Sequence, residues 1–123
     1  MADTSVSLVG NLTDDPELRV TSSGIARATF RVAVSGRVRD GDGWKDAEPS
    51  FYSVVVWREQ AEHAAASLAR GSRVVVVGRL RQRSWQADDG SARSLVEVMA
   101  EELGPSLRWA TAQPARVTKN GSA

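Results

Sequence analysis

The order of its hydrophobic repeats constrains this chain more than any other feature. Five segments are short and β-prone or alternate apolar and polar side chains, and one has the 3.6-residue spacing of a helix. The predicted strands are residues 6–12, 26–34, 50–57, 74–85 and 94–103, and the predicted helix, residues 58–69, separates the third strand from the fourth. This order predicts an all-β protein: a five-stranded Greek-key barrel of the OB type, with all strands antiparallel and one helix between strands 3 and 4.

The connections between these segments are rich in turn-forming residues. Residues 14–16 and 88–90 are predicted turns, and Gly71 is placed to end the helix in a left-handed conformation. Residues 35–49 have three Gly and no sustained period, so we predict a long, mobile hairpin loop. After residue 109 nearly all large core-forming side chains disappear. We therefore expect a barrel domain at residues 1–109 and a short disordered tail at residues 110–123.

Composition excludes most catalytic machinery. The chain has no Cys, which removes disulfides, thiolate nucleophiles and Cys-ligated zinc, and it has one histidine, His63. Its carboxylates fall in predicted turns, where Asp is common for structural reasons. We therefore predict that the chain is not an enzyme and that it takes no metal or other cofactor. The sequence also has no signal peptide or membrane span, which predicts a soluble, cytoplasmic protein.

Arginines are concentrated between residues 70 and 85. This stretch has no acidic residue, although the whole chain has 16 Lys and Arg against 15 Asp and Glu. In addition to Arg70, strand alternation puts four side chains on one face: Arg79, Arg81, Arg83 and Trp85. Cations beside a flat ring are typical of surfaces that bind single-stranded nucleic acid. The alternative is a solvated arginine face that only keeps the strand soluble.

Two other strands and one loop offer further candidates. The third strand puts Phe51 and Trp57 on one face, as a stacking platform or as part of the core. The second strand directs Arg27 and Arg31 outward. Trp44 lies in the loop rich in Gly and Asp, where it either folds back on the barrel or wraps a ligand.

Several motifs follow one another in a characteristic order over residues 4–109. They are Leu8-Val9-Gly10-Asn11-Leu12, Asp15-Pro16-Glu17-Leu18-Arg19, Phe51-Tyr52-Ser53-Val54-Val55-Val56-Trp57, Leu68-Ala69-Arg70-Gly71-Ser72-Arg73-Val74 and Gly78-Arg79-Leu80-Arg81-Gln82-Arg83-Ser84-Trp85. Together they resemble the bacterial single-stranded-DNA-binding proteins (SSB). Any one of these motifs is weak, but the combination in this order is highly specific.

The resemblance implies a fold, an assembly and a site. It implies an OB-fold core that forms a homotetramer and binds single-stranded DNA without sequence preference in replication, recombination and repair, in association with the nucleoid. It implies no cofactor and no reaction. By position, it assigns stacking to Phe51, Trp57 and Trp85. It assigns phosphate contacts to Arg70, Arg81 and Arg83.

Three departures from the family pattern matter. Val38 stands where many members have a stacking tryptophan, so either that contact is missing or Trp44 serves it from farther along the loop. Glu59 stands at a position that is basic in the family. Family tails end in an acidic tip that docks on repair and replication proteins, whereas residues 110–123 contain Arg116, Lys119 and no acid. These departures predict an accessory paralogue that covers single strands but recruits partner proteins weakly or not at all.

Two rival functions remain from other classes. An OB-type protein-interaction module of a replication or primosome complex would use the aromatic face as a partner surface. The arginines argue against it, since protein interfaces are depleted of unpaired charge at their centres. A small nuclease that uses the turn carboxylates with magnesium is the third reading, and the sequence has no residue placed to carry out cleavage.

Overall fold

Strands dominate the structure, a computed structural model that describes residues 4–118 apart from the side chains of Arg37, Val38 and Asp46. One helix is present in this range. The elements are β1 (Ser5–Leu12), β2 (Glu17–Val20), β3 (Ala26–Val34), β4 (Arg37–Asp40), β5 (Gly43–Asp46), β6 (Ser50–Trp57), α1 (Arg58–Ser67), β7 (Arg73–Gln86) and β8 (Ala92–Pro105).

Five of these strands close a barrel. The sheet order is β1-β7-β8-β6-β3-β2, and β1 also pairs with β3. The closed set is β1, β3, β6, β7 and β8, which correspond to the five predicted strands, and α1 lies between β6 and β7 as expected. The OB prediction is therefore confirmed. The expectation that all strands are antiparallel is wrong for β6 and β8, because the crossover through α1 and β7 brings β8 beside β6 in the same direction.

The core lies inside the barrel and beneath α1. On β3 the apolar side chains of Ala28, Phe30 and Val32 are buried, and the alternate positions are more exposed. Strand alternation therefore decides which residues of β3 remain available on the outer face. Ala61 and Ala64 of α1 join the same hydrophobic cluster, so small side chains let the helix pack closely on the barrel.

Two glycines permit close approach of the strands. A Cβ at Gly10 would overlap the carbonyl oxygen of Ala33 and lie 2.7 Å from Val32 Cγ1, where β1 meets β3. A Cβ at Gly78 would overlap the carbonyl oxygen of Met99, at the bulge between Val77 and Gly78. Both positions must lack a side chain for the barrel to close with this register.

Two strand pairings, one in the barrel sheet and one in a separate hairpin, were not predicted. The strand β2 pairs with β3 at the edge of the sheet, and all four of its residues are exposed, so no buried stripe marked it in the sequence. Residues 35–49 were predicted to be a long, mobile hairpin loop. They instead contain a β4–β5 hairpin in which Asp40 pairs with Gly43.

The predicted helix is too long at its C-terminal end. It stops at Ser67, because Leu68 is extended with φ −110° and is buried at 7% exposure. Gly71 is left-handed as predicted, with φ +88°, but it lies in the following turn. Gly90 has φ +86° in the predicted turn between β7 and β8.

The last described residues have no regular secondary structure. Residues 107–118 are exposed and form neither helix nor strand. Disorder of residues 110–118 and the domain boundary at residue 109 remain predictions, and residues 119–123 lie outside the described range. No helix between residues 4 and 118 has the length and apolarity needed to cross a membrane.

Candidate nucleic-acid interface

The outer face of β3 and β6 pairs arginines with aromatic rings. Arg27 lies directly opposite Trp57, and its Cζ is 5.6 Å from the centre of the indole. Arg31 Cζ lies 4.5 Å from the centre of the Phe51 ring. Phe51 is 49% exposed, so it is a surface residue and not part of the core, and Trp57 is half-buried. This face therefore offers two cation–π pairs.

A third pair lies on the hairpin formed by β7 and β8. Trp85 is 43% exposed, and Arg83 Cζ lies 4.8 Å from its ring centre. Across the hairpin, Arg83 is directly opposite Leu95 and Arg81 is opposite Glu97. The predicted arginine face of β7 is therefore present, but β8 adds acidic side chains to it.

A cleft on the outer face brings three of the predicted cations together. We call it the outer cleft; its volume is about 440 Å³. The residues that carry its chemistry are Arg27, Arg31, Arg83, Ser53 and Glu97, with Asp14 and Asp15 from the β1–β2 connection and Glu17 at the start of β2. Phe51 and Trp57 lie on the same face, because each ring contacts an arginine that lines the outer cleft. Cations and rings that were distant in sequence thus share one surface.

Two acids on this surface were missed by sequence reasoning. Glu97 Oε1 lies 3.6 Å from Arg83 Nε, and Glu101 Oε2 lies 3.4 Å from Arg79 Nε. The arginine stretch itself contains no acid, and its partners come from β8. Only the register of the β7–β8 pair, which includes a bulge, could have identified them.

The other predicted residues lie outside the outer cleft. Arg70 is exposed. Its backbone N–H donates to Asp15 Oδ1 at 2.8 Å, which holds this part of the backbone beside the rim of the outer cleft. Arg81 is exposed on the β7–β8 hairpin. Trp44 is 58% exposed on the β4–β5 hairpin, where Arg39 Cζ lies 5.6 Å from its ring centre.

Two of the departures from the family pattern are at Glu59 and Val38. Glu59 is exposed in the first turn of α1. The side chain of Val38 lies outside the described residues, so the prediction that Trp44 replaces it stays open.

Trp109, the fourth tryptophan of the chain, was not among the candidate residues predicted from the sequence. Trp109 is 72% exposed, and Arg73 Cζ lies 4.5 Å from its ring centre. The adjacent Arg108, 5.1 Å from the same ring, was the available signal in the sequence. Trp109 does not line the outer cleft, so we do not include it in the candidate interface.

The turn carboxylates have structural contacts. The side-chain and backbone hydrogen bonds from Ser91 hold the pKa of Asp89 below its usual value. Asp15 caps the backbone at Arg70. Within residues 4–118, no group of three His, Asp or Glu side chains is arranged to hold a metal ion. The site thus offers cations, rings and hydrogen-bonding groups.

Known proteins with similar sequences and structures share one description. The profile of the single-strand binding protein family matches residues 3–106. The single-stranded DNA-binding protein of Mycolicibacterium smegmatis is 51% identical over 97% of this chain and 73% of its own length. That of Mycobacterium leprae is 50% identical over 97% of this chain and 72% of its own length. The crystal structure of a small single-stranded DNA-binding protein from Streptomyces coelicolor matches with a TM-score of 0.72 and 34% identity, over 87% of this chain and 97% of that one.

Proposed function

Because the chain belongs to the single-strand binding protein family, we propose that it binds single-stranded DNA through the outer cleft and the rings beside it. The observation that carries this proposal is the convergence of Arg27, Arg31 and Arg83 in one cleft on the face that also presents Phe51 and Trp57. Guanidinium groups follow phosphates and rings stack on any base, so such a surface binds without reading sequence. The family is one of DNA-binding proteins, not of enzymes.

The proposed role of each residue follows from its side-chain type. In the proposal, bases stack on Phe51, Trp57 and Trp85, and the arginines of the outer cleft contact phosphates. Four further residues extend the path of the strand on either side: Arg70, Arg79, Arg81 and Trp44. Arg70, Arg81 and Trp44 are exposed and Arg79 is half-buried. Their positions on two hairpins and one turn support a strand that follows the outside of the barrel.

The first test is a titration of the protein with poly(dT) and with a duplex of equal length, followed by tryptophan fluorescence at several salt concentrations. We expect the single strand alone to quench the fluorescence, with an affinity that falls linearly in log–log form as salt rises. Equal binding of the duplex would contradict the proposal. No quenching by either would favour the protein-interaction module instead.

We further propose that the protein assembles as a homotetramer. Val9 and Val75 are directly paired on β1 and β7, and with Val77 they form an exposed apolar stripe on the outside of the barrel. Exposures of 39%, 40% and 43% are unusual for three neighbouring valines with no partner. A second copy of the chain is the partner proposed for this stripe.

The remaining proposals concern the C-terminal residues and the cellular role of the protein. We propose that residues 1–109 suffice for DNA binding and that residues 110–123, which contain two cations and no acid, recruit partner proteins weakly or not at all. Grafting an acidic tip onto the chain should create partner binding in a pull-down. Equally strong capture by the unmodified chain would contradict this. We also propose a cytoplasmic, nucleoid-associated role in replication, recombination and repair, which the family resemblance supports.

A further inference from the structure

One buried charge lies in the outer cleft. Among the side chains described for residues 4–118, Glu97 is the only polar or charged one that is buried, at 6% exposure. Its neighbour Val98 points into the core at 1% exposure, so strand alternation turns Glu97 toward the outer face of β8. A carboxylate withdrawn from water needs a close positive partner.

Arg83 is that partner, and the pair is asymmetric. The guanidinium Nε lies 3.6 Å from Glu97 Oε1, and the side-chain exposures are 46% for Arg83 and 8% for Glu97. The arginine therefore meets solvent on the side where the strand is proposed to lie, while the acid stays beneath it. Salt ions screen a buried carboxylate much less than an exposed one.

The other acids of the cleft differ from Glu97. Asp14, Asp15 and Glu17 line its rim and are exposed. Glu17 forms an ion pair with Arg19, and Asp15 accepts the backbone N–H of Arg70. Exposed charges of this kind interact weakly with a ligand because water and salt surround them. Glu97 is thus the acid of this cleft whose charge is screened least and acts at short range.

We propose that Glu97 competes with the DNA backbone for Arg83 and so sets the strength and the salt dependence of single-strand binding. This inference rests on the proposed function. When a phosphate reaches Arg83, the guanidinium exchanges part of its ion pair with Glu97 for the phosphate. The charge of the carboxylate stays close to the phosphate and weakens the contact.

The test is the variant Glu97→Gln, which keeps the size of the side chain and removes its charge. One charge fewer in the cleft is equivalent to about one more neutralised phosphate, so the slope of log K against log salt should steepen by about 0.7. Affinity for oligo(dT) should then rise about fivefold at 0.1 M salt. An unchanged slope, or weaker binding by a variant that melts like the wild type, would overturn the inference.

Glu62→Gln is the matched control. Glu62 is exposed on α1 and does not line the outer cleft. Its removal changes the net charge of the protein by the same amount, yet we expect less than about a twofold change because the site is screened. An effect equal to that of Glu97→Gln would show that total charge, and not the position of Glu97, controls affinity. Glu97→Asp should retain the wild-type slope because it retains the charge.

A measurement on the unaltered protein covers the case in which the variant fails to fold. The Nε–Hε resonance of Arg83, followed by NMR during titration with oligo(dT), should shift as the ion pair is exchanged for phosphate. An unmoved resonance in the saturated complex would overturn the competition. If the wild type does not bind oligo(dT), the proposed function itself fails. If it binds and Glu97→Gln binds identically, only this inference fails.

Discussion

Guanidinium groups cover one face of the aromatic rings on this surface. Arg27, Arg31 and Arg83 lie over Trp57, Phe51 and Trp85, respectively, at 4.5 to 5.6 Å. In the proposed complex, a base stacks on the exposed part of each ring while the arginine beside it contacts the adjacent phosphate. The pairing thus couples the two kinds of contact that a single strand needs.

Removal of one ring should have a defined cost. We expect Trp85→Ala to weaken binding of oligo(dT) by about 1 to 3 kcal/mol, the value of one stacked base. Its stability should change by less than about 0.5 kcal/mol, because the ring is 43% exposed. Fluorescence anisotropy of labelled oligo(dT), together with urea unfolding, measures both quantities.

The control for this variant is Trp109→Ala, which removes a more exposed ring outside the outer cleft. Its affinity for oligo(dT) should match the wild type. A large loss of stability in Trp85→Ala with unchanged binding would instead identify Trp85 as a structural residue.

Gly78 should tolerate no side chain. Gly78→Ala places a methyl group against the carbonyl oxygen of Met99, so we expect a loss of about 1 to 3 kcal/mol in the free energy of unfolding. Gly104→Ala on β8 is the matched control: nothing lies within 4 Å of its Cβ, and the expected change is within about 0.5 kcal/mol. Urea unfolding of both variants measures the difference. Equal stability would mean that the strands separate at the bulge without cost.

At the scale of elements, the β7–β8 hairpin carries three of the six predicted cations: Arg79, Arg81 and Arg83. Its turn is stabilised by Asp89, whose carboxylate accepts hydrogen bonds from the Ser91 hydroxyl at 2.6 Å and the Ser91 N–H at 2.9 Å. A carboxylate whose pKa is lowered by folding stabilises the folded state above its unfolded pKa. That contribution is lost as pH falls through the folded pKa.

Ser91→Ala should raise the pKa of Asp89 toward the usual value of about 3.9, because it removes the hydroxyl that contributes most to the shift. An NMR titration of the side-chain carboxyl carbon measures this directly. Ser94→Ala lies on the same hairpin and contacts no carboxylate of the turn among the hydrogen bonds described, so it should leave the Asp89 titration unchanged. A shared change in both variants would point to loosening of the whole hairpin.

The sequence predicted those elements whose burial leaves a repeating pattern. The five barrel strands and the helix were recovered because one face of each is covered. The strand β2 was missed because none of its residues is buried, and the β4–β5 hairpin because it lies apart from the barrel sheet. Strand period was enough to predict that Arg27, Arg31 and Arg83 point outward from the barrel, as they do in the outer cleft. Glu97 was not predicted, since its contact with Arg83 depends on the register between two strands.

For the whole molecule, the proposed assembly rests on the exposed stripe of Val9, Val75 and Val77. We expect Val75→Glu to convert the proposed tetramer into smaller species, because a charge at the centre of an apolar interface is costly to bury. Analytical ultracentrifugation measures the masses. Val20→Glu, on the exposed edge strand β2 at 68% exposure, should keep the wild-type mass. A tetramer that survives Val75→Glu would place the interface elsewhere.

The pairing of the first strand with the seventh has a consequence for synthesis on the ribosome. Ser5 pairs with Arg79, and β6 finds its parallel neighbour only in β8. At roughly 5 to 20 residues per second, β1 leaves the ribosome several seconds before β7 exists. During that interval its apolar residues have no partner from their own chain except β3. The barrel therefore closes only after almost all of its residues have been translated, and a nascent chain that stalls before β8 exposes an open sheet.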